Sequence, residues 1–212
     1  MSLEEGHSQG VTCMSNLILI RHGQSVWNAA NRFTGWTDVE LSEVGVSEAE
    51  EAGRSLSSRR IDVVHTSDLI RAQRTAEIIM SLNEASEGYS TRFDWRLNER
   101  NYGSLQGLNK AETAEKFGAE QVHIWRRSFD VAPPDGESLE MTAERTIPYF
   151  EEEILPDLQA GRGVLVSAHG NSLRSIVMHI EGISPEEIVS LEIQTGSPMF
   201  YEFEGGEISR TG

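Results

Sequence analysis

Two histidines occur in the same local setting. His22 follows Leu17-Ile18-Leu19-Ile20-Arg21 and precedes Gly23-Gln24-Ser25. His169 follows Val164-Leu165-Val166-Ser167-Ala168 and precedes Gly170-Asn171-Ser172. Each apolar run reads as a buried strand, and each glycine as the turn that ends it. Ligands of open α/β sheets sit outside the carboxyl ends of the strands, so both imidazoles are expected at one lip. Arg21 adjoins the first. Arg71 falls in the first turn of an expected helix, where a cation opposes the helix dipole and a bound anion would offset it; a solvent-exposed Arg71 is the plain alternative. Imidazoles among guanidiniums suit phosphoryl transfer. Arginines bind and stabilise a group carrying about two negative charges. They also lower the pKa of a nearby histidine, and the neutral ring is the form that attacks phosphorus. Glu99 is the one carboxylate of the stretch 95–107, which also holds Tyr102 and two glycines. It is a candidate general acid and base; an ion pair with Arg96 or Arg100 is equally consistent with the spacing. A metal site fits less well, since arginine repels a divalent cation and no carboxylate stands at ligand spacing beside either histidine. A Gly-x-Ser-x-Gly elbow is missing. Two structural histidines stay open as a further reading.

The elements that must position these groups alternate. Strands are expected over 17–21, 61–65, 91–94 and 164–168. A loop over 27–38 carries two tryptophans and many hydrogen-bonding groups. Ser42 caps a helix over 42–59, with Ala49, Ala52, Gly53 and Leu56 as its buried stripe. Ser67 is expected to cap a helix over 68–82. Short helices follow over 109–117 and 119–128. After a Pro-rich turn (131–136), Ser138 caps a long helix, which Pro148 should kink near Glu144 and Pro156 should kink again or end. A helix over 173–181 and strands over 188–193 and 199–203 complete the chain. Strands alternating with helices imply a mostly parallel sheet between helices, an α/β three-layer sandwich. Residues 1–15 lack periodicity and read as a disordered leader to one domain over 16–212.

The composition narrows the partners. The 212 residues carry a net charge of −16, which argues against nucleic acid and anionic membranes but not against a small anion held by local arginines. Of 18 basic residues, only Lys110 and Lys116 are lysine. Arginine is the better fork for phosphate and carboxylate, although codon bias explains the total as well. No apolar run approaches the roughly 20 residues that span a bilayer. The single cysteine, Cys13, cannot form an internal disulfide, and a reducing, cytoplasmic setting is the default expectation. A homo-oligomer stays open.

The stretches 21–28, 31–39, 66–72, 96–110, 125–130 and 168–174 together resemble the histidine phosphatase superfamily. More closely, they are similar to its 2,3-bisphosphoglycerate-dependent phosphoglycerate mutases. The resemblance spans roughly residues 16–203, and 96–130 is far more specific than Arg-His-Gly. It implies His22 as the phosphohistidine nucleophile, with Arg21, Asn28, Arg71 and His169 around the transferred phosphoryl group and Glu99 as proton shuttle. It further implies Ser25, Thr34, Gly35, Tyr102, Lys110, Arg126, Arg127, Gly170 and Asn171 as contacts to the rest of the substrate. The family interconverts 3- and 2-phosphoglycerate, with 2,3-bisphosphoglycerate as primer and no metal. A phosphatase using the same His22 on small phosphate esters is the alternative. Val26 stands where many members carry Glu, and Asn101 where many carry His. The segments after Asp130 and after Phe203, which help cover the site in longer members, are short.

Overall fold

A computed structural model describes residues 14–211. The elements are β1 (Ser15–Arg21), α1 (Val26–Ala29), α2 (Glu43–Ser55), β2 (Val63–Thr66), α3 (Ile70–Ser81) and β3 (Ser90–Phe93). Two 3-10 turns follow, then α4 (Lys110–Phe117), α5 (Ala119–Arg127), α6 (Leu139–Tyr149), a π-helical turn (Phe150–Ile154) and α7 (Leu155–Gln159). The chain closes with β4 (Val164–Ala168), α8 (Gly170–Glu181), α9 (Pro185–Ile188), β5 (Pro198–Glu204) and β6 (Glu207–Arg210). Most of the expected leader lies outside the described residues. Its last residue, Ser15, instead opens β1, buried, with its hydroxyl donating to the Leu158 carbonyl at 2.9 Å.

The strands form one sheet in the order β3-β2-β4-β1-β5-β6. β3, β2, β4 and β1 are parallel, and β5 runs against β1 and β6. Strand side chains alternate between faces, and the central strand shows what this achieves. Leu17 and Leu19 join Val164 and Val166 against Tyr149, Phe150, Leu173 and Ile176. Ile18 and Ile20 join Leu165 against Ala52, Leu56, Ala76 and Ile79. The three layers are therefore α6–α8, the sheet, and α2–α3. Among the described residues no helix is long and apolar enough to cross a membrane.

Several expected elements differ. Ser25 and Asn28 form a reciprocal capping box that turns part of the expected 27–38 loop into α1. The α2 helix stops at Ser55, four residues short of the expected end. Ser67 does not cap α3, which begins at Ile70 behind Leu69; its hydroxyl goes to the site described below. Pro148 is accommodated inside α6. Pro156 does not end the helical run, which passes through the π turn into α7. A π turn re-registers the hydrogen bonds just where Pro156 lacks a donor. The α8 helix starts at Gly170, so the polar turn expected after His169 is its first turn. No strand forms over 188–193; Ile188 ends α9, residues 189–190 form a turn, and a strap without strand pairing follows. The β6 strand, not expected, returns through a Gly205-Gly206 turn in which both φ angles are positive.

Candidate active site

Register does most of the assembly. In the parallel β1/β4 pair Arg21 lies opposite Ala168, so the next residues, His22 and His169, emerge side by side. Their ring centroids are 4.9 Å apart, edge to face. The His22 amide continues the ladder by donating to the Ala168 carbonyl. In the β2/β4 pair Thr66 lies opposite Ser167. The following Ser67 is thereby set to share a 2.7 Å hydrogen bond between its hydroxyl and His169 Nε2. Gly23 is required by contact: a Cβ there would lie 2.2 Å from the carbonyl oxygen of Gly45 in α2. A Cβ on Gly45 would lie 2.0 Å from the Gln24 carbonyl oxygen. The turn after His22 is thus pressed against the first turn of α2.

The His22 ring is oriented from both sides. Nδ1 lies 2.7 Å from the Gly23 carbonyl, which can only accept, so Nδ1 carries the proton. The lone pair is then on Nε2, where the Arg71 Nε–H donates at 3.3 Å. Burial first, then Arg71 and Arg21, hold the His22 pKa well below its usual range. Burial, Arg71 and the neighbouring ring do the same for His169. Arg71 is itself buried in the first turn of α3, against the helix dipole. Its Nη atoms donate to the carbonyls of Thr37 and Gly35, at 3.1 and 2.7 Å. Burial lowers its pKa to about 10 against the pull of Glu99 and Asp38, so it stays a cation at neutral pH. The solvent-exposed alternative for Arg71 fails.

Glu99 is buried and makes no hydrogen bond to the Arg96 or Arg100 side chain. Arg96 pairs with Asp94 and Glu152, and the Arg100 guanidinium reaches the Tyr102 hydroxyl and the Arg126 carbonyl. One Glu99 oxygen, Oε1, accepts the Arg100 amide at 2.8 Å, the Asn171 amide at 3.1 Å and the Asn171 side chain at 2.8 Å. Oε2 is left beside Arg21 and Gly170; a Cβ on Gly170 would sit 3.7 Å from both Oε2 and the Arg21 guanidinium. Burial raises the Glu99 pKa, but Arg21, the Asn171 hydrogen bond and the Arg100 amide outweigh it, and the net shift is downward. Glu99 is therefore ionised at neutral pH. Its backbone carbonyl is clamped by Trp36 Nε1 at 2.6 Å and by Arg145 at 3.0 Å.

These groups line a cleft with two lobes. Arg21, Glu99, Tyr102 and Lys110 belong to both. The inner lobe adds His22, Asn28, Thr34, Gly35 and Arg71, and the outer lobe adds Arg126, Arg127, Gly170 and Asn171. All the expected site residues except Ser25 and His169 thus line the cleft. His169 makes an edge contact with His22, and while its Nε2 shares the bond with Ser67, its Nδ1 is buried without a protein partner among the described residues. Ser25 is fully buried, and its hydroxyl accepts the Asn28 amide at 3.1 Å, so it supports Asn28 from one step back. Arg32 lines the inner lobe and Arg174 and Glu192 the outer. These, the Arg145 clamp and the Ser67–His169 bond were not anticipated. Arg32, Ser67 and Arg174 do stand inside 31–39, 66–72 and 168–174, stretches that carry the resemblance; Arg145 and Glu192 carry no local signal. Arg21 Nε and Thr34 Oγ1 are buried without a protein partner among the described residues. A buried polar atom left unpaired costs about 1–3 kcal/mol, and an oxyanion in the inner lobe would satisfy both.

The buried histidines make stability pH-dependent. Folded His22, His169 and, more mildly, His65 all have lowered pKa values. Above about pH 6.5 folded and unfolded chains are both neutral at these sites. Below it the unfolded chain takes up protons that the folded one refuses. Stability should therefore fall with pH, by up to about 1.4 kcal/mol per pH unit for each group, until the folded pKa is reached. The lowered carboxyls of Glu99 and Asp94 continue the loss at more acid pH. Urea midpoints at about pH 7.5 and 5.5 test this, with the lower midpoint expected at the acid value; equal midpoints would contradict it.

Comparison with known proteins agrees with this geometry. Residues 17–210 match the histidine phosphatase superfamily (branch 1). A 2,3-bisphosphoglycerate-dependent phosphoglycerate mutase from Protochlamydia amoebophila is 50% identical over 92% of this chain and 97% of its own. One from Cytophaga hutchinsonii is 53% identical over 90% of this chain and 88% of its own. Among solved structures, one named mycobacterial hydrolase 1 superposes with a TM-score of 0.81 at 26% identity, covering 93% of this chain and 97% of its own. With the paired histidines, the buried arginines and the ionised carboxylate in one cleft, the chain belongs to the histidine phosphatase superfamily and, within it, to the family of 2,3-bisphosphoglycerate-dependent phosphoglycerate mutases.

Proposed function

We propose that the protein interconverts 3-phosphoglycerate and 2-phosphoglycerate through a phosphorylated His22. The observation that carries this reading is the outer lobe. Beyond Glu99, Lys110, Arg126, Arg127 and Arg174 present four cations that a simple phosphate ester would not need. A phosphoglycerate has a second anionic end, its carboxylate, to place there.

The unpaired Arg21 Nε and Thr34 Oγ1 fit a phosphoryl oxygen in the inner lobe. When bound, 2,3-bisphosphoglycerate supplies the phosphoryl group that primes the enzyme. The chain's own residues do the rest. Arg21, Arg71, Asn28 and His169 hold the phosphoryl group, and the two guanidiniums provide the positive charge that its transition state needs. His22 presents the Nε2 lone pair. Glu99, ionised and with Oε2 free of the donors that saturate Oε1, takes the proton of the attacking substrate hydroxyl and returns it in the reverse step. Tyr102 and Lys110 stand where the lobes meet, and Arg126, Arg127 and Asn171 bind the far end. The substrates are intermediates of glycolysis and gluconeogenesis, and the reaction is assigned to the cytoplasm.

A coupled assay tests the reading. With bisphosphate primer present, formation of 2-phosphoglycerate from 3-phosphoglycerate is expected to exceed release of inorganic phosphate. Steady phosphate release without isomerisation would instead establish a phosphatase, a hydrolytic enzyme like the neighbour named mycobacterial hydrolase 1.

A further inference from the structure

The strap between α9 and β5 does something a strand could not. Its carbonyls face arginines instead of a neighbouring strand. Val189 accepts Arg127 Nη1 at 3.4 Å, Leu191 accepts Arg174 Nε at 2.8 Å, and Ile193 accepts Arg21 Nη1 at 2.8 Å. Val189 lies in the turn that ends α9, whereas Leu191 and Ile193 are alternate residues of the strap that follows; together the turn and the strap aim three guanidiniums of the cleft. Between the second and third of these carbonyls stands Glu192. Its Oε1 pairs closely with Arg127 Nη2, and its Oε2 lies 3.9 Å from Arg174 Nη2. The carboxylate bridges two arginines at the wall of the outer lobe.

We propose that Glu192 is a specificity-determining residue: a tethered stand-in for the ligand's carboxylate that the incoming carboxylate displaces from Arg127 and Arg174. The inference rests on the reading that the outer lobe takes the anionic end of phosphoglycerate. Two features make displacement feasible. The Glu192 side chain is 65% exposed, so its ion pairs are screened and weak. The arginines do not depend on it for direction, because the Val189 and Leu191 carbonyls continue to hold them once the carboxylate has swung away. Until then Glu192 offsets the charge of Arg127 and Arg174, and a carboxylate that is to reach these two guanidiniums must displace it.

Calorimetric titration of the full chain and of Glu192→Gln with two probes tests this. The probes are 3-phosphoglycerate and glycerol 3-phosphate, which keeps the phosphate and lacks the carboxylate. For the variant, the Kd of 3-phosphoglycerate is expected to fall about threefold, the scale of an exposed ion pair. The Kd of glycerol 3-phosphate should stay within experimental scatter. The gain should shrink as salt is raised to about 0.5 M, because the effect is electrostatic. Glu192→Asp, which retains the charge, should stay close to the parent protein. Unchanged or weaker binding of 3-phosphoglycerate by Glu192→Gln, equal tightening of both probes, or an Asp variant that behaves like Gln would overturn the proposal. The ratio of the two dissociation constants judges Glu192 independently of turnover, whereas failure of the isomerisation assay bears on the reading of the site.

Discussion

Replacing His22 with Ala is expected to abolish phosphoryl uptake and to lower isomerisation by at least ~10⁴-fold. The expectation comes from which nitrogen is free. The Gly23 carbonyl fixes the proton on Nδ1, and Nε2 is left with its lone pair facing a cationic donor, Arg71. Among the described residues His169 is the only other imidazole in contact with this ring, yet its Nε2 is engaged with the Ser67 hydroxyl in the interior. With labelled bisphosphoglycerate the parent protein should retain acid-labile, alkali-stable phosphate, and the Ala variant none. Label that survives in His22→Ala and disappears in His169→Ala would transfer the nucleophile's role to His169. A thermal melt separates loss of chemistry from loss of fold, since removing a buried ring also leaves a void.

The lowered pKa of His22 has a consequence for this step. A histidine that needed deprotonating would make the attack strongly pH-dependent near neutrality. Burial among arginines keeps the ring neutral well below pH 6.5, so phosphoryl uptake has its lone pair ready across the physiological range. The cost appears elsewhere, in the acid sensitivity of the fold. Arg71 serves both ends of this arrangement. It holds the ring neutral, and its own charge is fixed in place by the Gly35 and Thr37 carbonyls. Both of these partners are neutral, so the guanidinium keeps its full charge for the phosphoryl group.

How much of this was legible in the sequence depended on whether the signal was local. Strands β1 and β4 were, because both faces of each are buried and the apolar run is continuous. The paired strand ends then announced the two histidines, although only the register Arg21–Ala168 shows that their rings touch. Helices capped by Ser42 and Ser138 were legible because their hydroxyls do what such residues usually do. Ser67 misled because its hydroxyl is turned to His169, more than a hundred positions away. The 188–193 segment misled for a related reason. Ile188, Leu191 and Ile193 are buried or partly buried like strand residues, but the carbonyls that would have built a ladder are taken by Arg174 and Arg21. Arg145 is buried, paired with Glu137, and grips the carbonyls of Arg96, Asn98 and Glu99. Long-range partners of this kind leave no trace in periodicity.

Glu99→Gln carries the second large expected effect, a fall in kcat for isomerisation of about 10²–10⁴-fold. The amide preserves shape and keeps an oxygen to accept from the Arg100 amide and from Asn171, so the local fold should survive. It cannot take up a proton. The parent carboxylate is ionised at rest because Arg21, Asn171 and the Arg100 amide outweigh burial. It is therefore a resident base, and it becomes an acid only after it has accepted the substrate's proton. A doubly charged phosphoryl group beside it raises its pKa and eases that transfer. The leaving group then separates this role from a structural one. Phosphorylation of His22 by p-nitrophenyl phosphate expels a phenolate that needs no proton, so Glu99→Gln should slow that reaction far less than isomerisation. Measured side by side on the two substrates, unequal losses identify a proton shuttle. Equal losses would mean that Glu99 chiefly holds Arg21, Arg71 and Asn171 in place.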